Sequence, residues 1–410
     1  MNPSKHFDIL IIGGGSAGIG MAASLLKRKS SLDIGIIEPS ISHFYQPAWT
    51  LVGGGAFDIL KTKRSTHSVI PKQCEWIHDK VKEFRSDENT VVTQNGESVS
   101  YDYLVVAVGL QTKWNAIEGL SETLGKNGVT SNYSFDFAPY TWELVKNLKN
   151  GRAIFTQAPM PIKCPGAPQK AMYLACYEWL TQGRLKNIEV EFHNAGPSLF
   201  GVAAFVPSLM EYVKKYNINL NFSSNLVRID GLAKKAWFNV KDSNGETTLI
   251  EKSFDLLHVC PVQGPHDCLI GSDLANAEGW VEVDQVTMQH TRFKNVFAVG
   301  DCCSTPNSKT AAAARKQIVI ASDNLISLIQ GESLISKYDG YGSCPLTVEN
   351  GRIVLAEFGY GGKLMPTFPW LINPLKATRM AWFLKKTLLP IIYWHGMLKG
   401  REWFTKTIEN

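Results

Sequence analysis

The feature that most constrains this chain is a cluster of glycines set between two apolar runs near its start. Residues 7–12 (FDILII) predict a buried strand, Gly13-Gly14-Gly15-Ser16-Ala17-Gly18 follows, and an Ala/Leu-rich stretch predicts a helix to about residue 29. A second predicted strand, 32–37, ends at Glu38, twenty positions after Gly18. This is G-x-G-x-x-G opening a β-α-β unit. Gly13 permits the tight turn, Gly15 lets backbone amides approach a pyrophosphate, Gly18 lets helix and strand pack closely, and Glu38 can take a ribose hydroxyl. The 410 residues, 44% hydrophobic and 19% charged, hold apolar material for two to three packed domains. That balance excludes disordered, collagen-like and small disulfide-stapled chains.

Two later segments fit the same unit. Residues 101–109 (YDYLVVAVG) read as a buried strand ending at Gly109, and residues 295–301 (NVFAVGD) as another ending in Gly300-Asp301. A strand-terminal Gly-Asp is by itself a common turn. Together with the fingerprint, these segments resemble the flavoproteins that carry two dinucleotide-binding domains and hold FAD non-covalently. The resemblance implies that Asp301 binds the ribityl chain.

Between these pieces, over residues 150–271, a second Rossmann-like unit is expected: strand 153–156, helix 169–181, strand 188–193. A nicotinamide cofactor would need a second glycine fingerprint after Thr156. Residues 157–168 instead read QAPMPIKCPGAP, with four prolines that supply no amide donors. The second domain therefore lacks an NAD site, and the electrons must come from elsewhere.

The eight cysteines contain no C-x-x-C pair and no metal-ligand spacing, so neither zinc nor a thioredoxin-type site is expected. Two cysteines, each followed by proline, stand out: Cys164 in Lys163-Cys164-Pro165-Gly166 and Cys344 in the turn-rich segment 338–346. Both read as positioned loop thiols, with Lys163 the cation that favours the Cys164 thiolate. Cys176 falls in a predicted helix and reads as core. Free cysteines are usually small buried hydrophobes, so residue type alone leaves Cys164 and Cys344 open between reactive and structural roles.

Residues 162–170 (IKCPGAPQK), 300–302 (GDC), 308–313 (SKTAAA) and 338–346 (YDGYGSCPL) together resemble a type II sulfide:quinone oxidoreductase, over a span from Asp8 to about Tyr360. The resemblance implies that Cys164 and Cys344 form the redox-active disulfide or trisulfide beside the flavin. Hydrosulfide would open it to a persulfide on Cys344 and a thiolate on Cys164, from which two electrons pass to FAD. The sulfane sulfur would go to a small acceptor such as sulfite, glutathione or coenzyme A, and the electrons to ubiquinone or another membrane quinone. It further implies FAD contacts at Ser16, Ala17, Glu38, Gln46 and Val81, the last on a strand touching adenine, and a flavin-proximal Lys309. Cys74, Cys260, Cys302 and Cys303 receive no role. Phe358 and Tyr360 are candidates for a quinone pocket, and Arg315 is unassigned.

A quinone lives in lipid, and the end of the chain offers a surface for it. Residues 361–410 hold eight basic and two acidic residues, while the rest of the chain sums to −1. A helix from Pro374 would place Ala377, Met380, Ala381, Leu384 and Leu388 on one face and Arg379, Lys385 and Lys386 on the other. Four of the 11 tryptophans lie in this tail. Such a segment suits the headgroup layer of anionic lipid; a dimer interface or core lid is the alternative. No apolar run reaches the ~18 residues of a membrane span, and no targeting segment precedes the first strand. A bacterial inner membrane facing the cytoplasm is therefore expected, with the mitochondrial inner membrane as alternative. The basic tail carries no nucleic-acid module, and a homo-oligomer is compatible with the sequence.

The expected fold is thus α/β: two Rossmann-like dinucleotide-binding domains with a C-terminal amphipathic helical membrane-surface element. Residues 1–115 and 272–330 would form a discontinuous FAD domain, 150–271 the second domain, and 331–410 the segment bearing Cys344 and the membrane helices. A type II NADH:quinone oxidoreductase and a non-catalytic flavin/cysteine redox sensor are the competing readings.

Overall fold

The computed structural model describes residues 5–405; Lys406 and Glu409 of the tail's charge count lie outside them. The first sheet is built where the fingerprint requires it. Strand β1 (Lys5–Ile12) leads through the glycine turn into α1 (Ser16–Arg28) and returns as β2 (Ile34–Ile37). β1 is flanked by β2 on one side and Ser98–Val106 on the other, all parallel, and Val296–Ala298 joins Ser98–Val106 from far along the chain. Strands buried on both faces need continuous apolar runs: Ile9, Leu10 and Ile11 are fully buried, and α1 and the long helix Ala311–Ile329 pack together over one face. With Cys74–Ile77, Val81–Arg85 and Thr90–Thr93, these four strands form one seven-stranded sheet.

The second sheet has five strands, in the order Asn219–Asn221, Ile188–Asn194, Gly151–Gln157, Leu256–His258, Val129–Thr130, all parallel. It therefore reaches back to Val129–Thr130, ahead of the 150–271 span. Helix α2 (Ala167–Thr181) follows Gly151–Gln157 and covers this sheet, with Tyr173 and Trp179 fully buried. A three-stranded antiparallel sheet, Ser224–Asp230, Lys235–Lys241 and Thr247–Ser253, lies beside it.

Cys344 does not sit in a loop. It belongs to the strand Gly342–Glu349, which forms an antiparallel hairpin with Arg352–Phe358 in the register Cys344↔Ala356 and Ser343↔Glu357. Because side chains alternate across a strand, Cys344, Leu346, Val354, Ala356 and Phe358 face the core of the second domain. Ser343, Pro345, Leu355 and Glu357 face the other way, into the central cavity.

The C-terminal helix differs from expectation. It begins at Arg379 rather than Pro374, because Ala377–Thr378 pairs with Ile353 and Val354 and the Thr378 hydroxyl caps the amide of Ala381. Residues 384–388 and 392–396 are wound as wide π turns. The buried stripe runs through Ala381 and the residue one turn on. Lys385, expected on the solvated face, is turned inward and buried, with Nζ donating to the carbonyl of Pro47 at 2.7 Å. Met380, Phe383, Leu388 and Ile391 are left exposed. Further on, Tyr393, Trp394, Met397 and Leu398 are buried in the core of the first domain. Among the described residues no helix is long and apolar enough to cross a membrane.

Candidate active site

Cys164 ends the proline-rich loop two residues ahead of the α2 N-cap Gly166. Its backbone is left-handed (φ 53°), its amide donates to the Lys309 carbonyl at 2.8 Å, and its own carbonyl takes the amide of Ala167 at 2.7 Å. A residue so over-determined has its side chain aimed rather than free. The Cys164 and Cys344 sulfurs are 3.3 Å apart, although 180 residues separate them in sequence. The contact with the Cys344 sulfur, followed by the charge of Lys170, holds the Cys164 thiol well below its ordinary range. The same contact, with burial, drives Cys344 up. Cys164, with the Lys170 ammonium beside it, is therefore the member of the pair favoured as thiolate.

Three lysines surround the pair, arranged otherwise than the sequence predicts. Lys163, adjacent to Cys164, turns away and donates to Gln46 Oε1 at 2.6 Å. The cation on the sulfur is Lys170, one turn into α2, with Nζ 2.9 Å from Cys164 Sγ. Burial works against the Lys170 charge, but the two sulfurs outweigh it and its pKa is raised. Lys385 comes from the C-terminal helix. Burial, then repulsion by Lys170, pulls it down to about 7. Neither Lys170 nor Lys385 has a local sequence signal, since each meets the site only through tertiary packing.

A cavity of about 540 Å³ runs from the glycine turn past Cys164 to an apolar mouth. Gly13, Gly15, Ser16, Ala17, Glu38, Gln46, Gly109, Gly300, Asp301 and Lys309 all line it. Gly18 and Val81 do not. Gly18 lies beneath the turn, where an added Cβ would come within 1.8 Å of the Gly13 carbonyl, and Val81 packs into the first core. The Lys309 ammonium donates to the Cys303 carbonyl at 2.9 Å and lies over the Trp280 ring. Cys302 and Cys303 are fully buried just after Asp301. Phe358 is packed against Phe200 and Phe205 and Tyr360 against Tyr338, so neither lines the cavity. Arg315 does line it, donating to the carbonyl of Trp403 at 2.6 Å.

The cavity suits FAD on several independent counts. A Cβ on Gly15 would meet nothing within 4 Å, so the first turn of α1 presents bare backbone amides to the open space, as a pyrophosphate requires. Burial raises the Asp301 carboxyl against the pull of the Lys309 and Lys163 charges. Thr50 Oγ1 and both side-chain polar atoms of Asn132 are buried at the cavity wall without partners; such groups are normally satisfied, and a ligand with hydroxyls and ring heteroatoms would satisfy them. Glu38 spends part of its carboxylate on the amides of Gly14 (2.7 Å) and Ser40 (2.6 Å), which fixes it at the cavity rim.

Comparisons with known proteins agree with this geometry. The family described as pyridine nucleotide-disulphide oxidoreductase matches residues 7–149. A mitochondrial sulfide:quinone oxidoreductase of Dictyostelium discoideum is 44% identical over 97% of this chain and 87% of its own length. The mitochondrial sulfide:quinone oxidoreductase of Mus musculus is 38% identical over the same shares. Among solved structures, the sulfide:quinone oxidoreductase of Aquifex aeolicus superposes with a TM-score of 0.77 at 20% identity, over 97% of this chain and 92% of that one.

Proposed function

The chain belongs to the sulfide:quinone oxidoreductase family, and on that premise we propose that it oxidises hydrogen sulfide at the Cys164–Cys344 pair and delivers the electrons to a membrane quinone. The family binds FAD. When bound, FAD supplies the two-electron carrier between sulfur and quinone.

The protein's own residues account for the sulfur chemistry. With the pair oxidised, hydrosulfide attacks the S–S bond; a persulfide forms on Cys344 and the Cys164 thiolate leaves, held by the Lys170 ammonium at 2.9 Å. A small nucleophile, such as sulfite, glutathione or coenzyme A, takes the outer sulfur. The S–S bond closes as the electron pair leaves for the cofactor, so each cycle releases one sulfane sulfur and two electrons. Cys164 lines the cavity while Cys344 lies behind it, which favours Cys164 as the sulfur that faces the flavin. Gly13, Gly15, Ser16, Ala17, Glu38, Gln46, Gly109, Gly300, Asp301 and Lys309 would hold FAD.

The single observation that carries this reading is the 3.3 Å approach of two distant cysteines at the position where a nicotinamide fingerprint would otherwise stand. It disfavours the NADH:quinone alternative, whose second domain needs glycines that residues 157–168 lack. The apolar mouth, with Phe368, Leu371, Met380, Phe383 and Leu388, is the entry for quinone, and the exposed apolar side chains around it rest on a bilayer surface. The mitochondrial names of the relatives favour the mitochondrial inner membrane over the bacterial membrane that the sequence suggested.

The test is an anaerobic absorption titration with sulfide or NADH, followed by a soluble quinone. Bleaching of the flavin band by sulfide only, reversed by quinone, is expected. Bleaching by NADH alone would overturn the reading.

A further inference from the structure

Quinone reduction needs a proton as well as electrons. The reduced cofactor carries two electrons and one proton, so converting quinone to quinol takes one further proton from the protein or from water. Near the apolar mouth, the cavity wall is lined by Leu355, Phe368, Ile372 and Leu384, and one carboxyl group interrupts it, that of Glu357.

Glu357 is 5% exposed and lies on the cavity face of the hairpin, on the opposite side from Cys344. One oxygen accepts from the Tyr341 hydroxyl at 2.6 Å and from the Thr367 hydroxyl; the other accepts from the Thr367 amide at 3.0 Å. Tyr341 and Thr367 line the same cavity. Around this trio stand Arg315, whose guanidinium is attracted by the Glu357 charge, and the Lys316–Asp339 ion pair behind Tyr341, with Asp339 Oδ1 taking the Tyr341 amide. A buried carboxyl facing a hydrophobic substrate channel is unfavourable unless it is hydrogen-bonded. Here three donors converge on it and occupy both of its oxygens.

We propose that Glu357, positioned by Tyr341 and Thr367, is the group that protonates the quinone. The proposal rests on the quinone-reductase reading above. As the electron pair arrives, the Glu357 carboxyl O–H bond breaks and the quinol O–H bond forms. The carboxylate left behind keeps its bonds from Tyr341 and Thr367 and takes a proton from water before the next turnover. The hairpin thereby separates two chemistries by strand alternation, sulfur exchange on one face and quinone protonation on the other.

The test is stopped-flow reoxidation of sulfide-reduced holoenzyme by decylubiquinone and, separately, by ferricyanide, which accepts electrons without a proton. In Glu357→Gln, which keeps the acceptor oxygen but not the transferable proton, the ratio of quinone to ferricyanide rate is expected to fall about a hundredfold at saturating quinone, the usual contribution of a positioned acid. Glu357→Asp, which keeps an acid, is expected to recover part of that ratio and serves if the amide variant folds poorly. An unchanged ratio in both variants, or equal slowing with both oxidants, would overturn the assignment while leaving the quinone-reductase reading intact. Wild-type enzyme reoxidised by ferricyanide but not by quinone would overturn both.

Discussion

Lys170 Nζ lies 2.9 Å from Cys164 Sγ, and the lysine is buried. A buried cation in contact with a thiolate lowers the thiol's pKa. Replacing Lys170 by Met keeps the bulk and removes the charge, so the Cys164 pKa should rise. The measurement is the pH profile of iodoacetamide alkylation at Cys164 in the reduced protein, whose rising limb should move to higher pH. Lys163→Met, which removes a cation that contacts Gln46 instead, should move it much less. Equal shifts in both variants would contradict the assignment of Lys170 as the partner.

The thiol pair makes a second prediction. Cys164→Ser and Cys344→Ser should each keep the flavin band, because neither sulfur belongs to the glycine cradle, yet the rate of flavin bleaching by sulfide should fall about a thousandfold or more in both. Free-thiol titration should separate them. Cys164, at the cavity wall, reacts in Cys344→Ser; Cys344, with no exposure, stays protected in Cys164→Ser.

Much of this site is legible in the sequence where the signal is local. The strand, glycine turn, helix and Glu38 occur in one run of about thirty residues, and the backbone conformations they demand leave few alternatives. Cys164 and Cys344 were legible through their Cys-Pro contexts and the resemblance those carry. Lys170 was not, because the face a helix residue presents depends on how α2 lies over its sheet. Lys385 was misread outright: its charge places it with Arg379 and Lys386, but it lies one turn after the buried Ala381 and shares that inward side. Glu357 was silent for the same reason, since strand alternation reveals a cavity face only once the partner strand and register are known.

The glycine cradle can be tested without touching the sulfur chemistry. A side chain at Gly15 points into the open cavity and meets no protein atom within 4 Å, so Gly15→Val should fold and purify colourless, the valine occupying the pyrophosphate position. Gly18→Ala is different in kind. Its Cβ would fall 1.8 Å from the Gly13 carbonyl, so α1 and β1 must separate and the melting temperature should drop sharply. Circular dichroism and the flavin absorbance, read together, distinguish the two effects.

Stability should depend on His43. Its Nδ1–H donates to the Gly14 carbonyl, its Nε2 accepts from the Tyr393 hydroxyl at 2.6 Å, and Tyr393 meets Ser16 Oγ at 2.6 Å, which ties the C-terminal segment to the glycine turn. Burial lowers the His43 pKa to about 4. Between that value and the unfolded value near 6.5, the unfolded chain binds the additional proton, so stability falls as pH falls through this window, by at most about 3 kcal/mol. His43→Gln removes the titration, and its stability should change less from pH 6.5 to pH 4 than that of the wild type. His258 titrates in the same direction, so the difference between variant and wild type, measured by denaturant unfolding, is the quantity to compare. Parallel curves would refute the assignment.

The exposed apolar side chains near the cavity mouth predict where the protein meets lipid. Trp370 is 80% exposed and Ile391 47% exposed, and Arg379, Lys386, Lys399 and Arg401 supply positive charge nearby in the chain. Burying one large apolar side chain in the interface gains about 1.5–3 kcal/mol, and a glutamate there loses that gain and meets anionic headgroups as a like charge. Trp370→Glu and Ile391→Glu should therefore each weaken binding to vesicles containing anionic lipid by about tenfold or more, measured by co-sedimentation. Neither residue lines the cavity, so both variants should still turn over a water-soluble quinone. If instead the variants bind vesicles normally but change the sedimentation coefficient, this face joins two copies of the chain, and the bilayer contact must lie elsewhere.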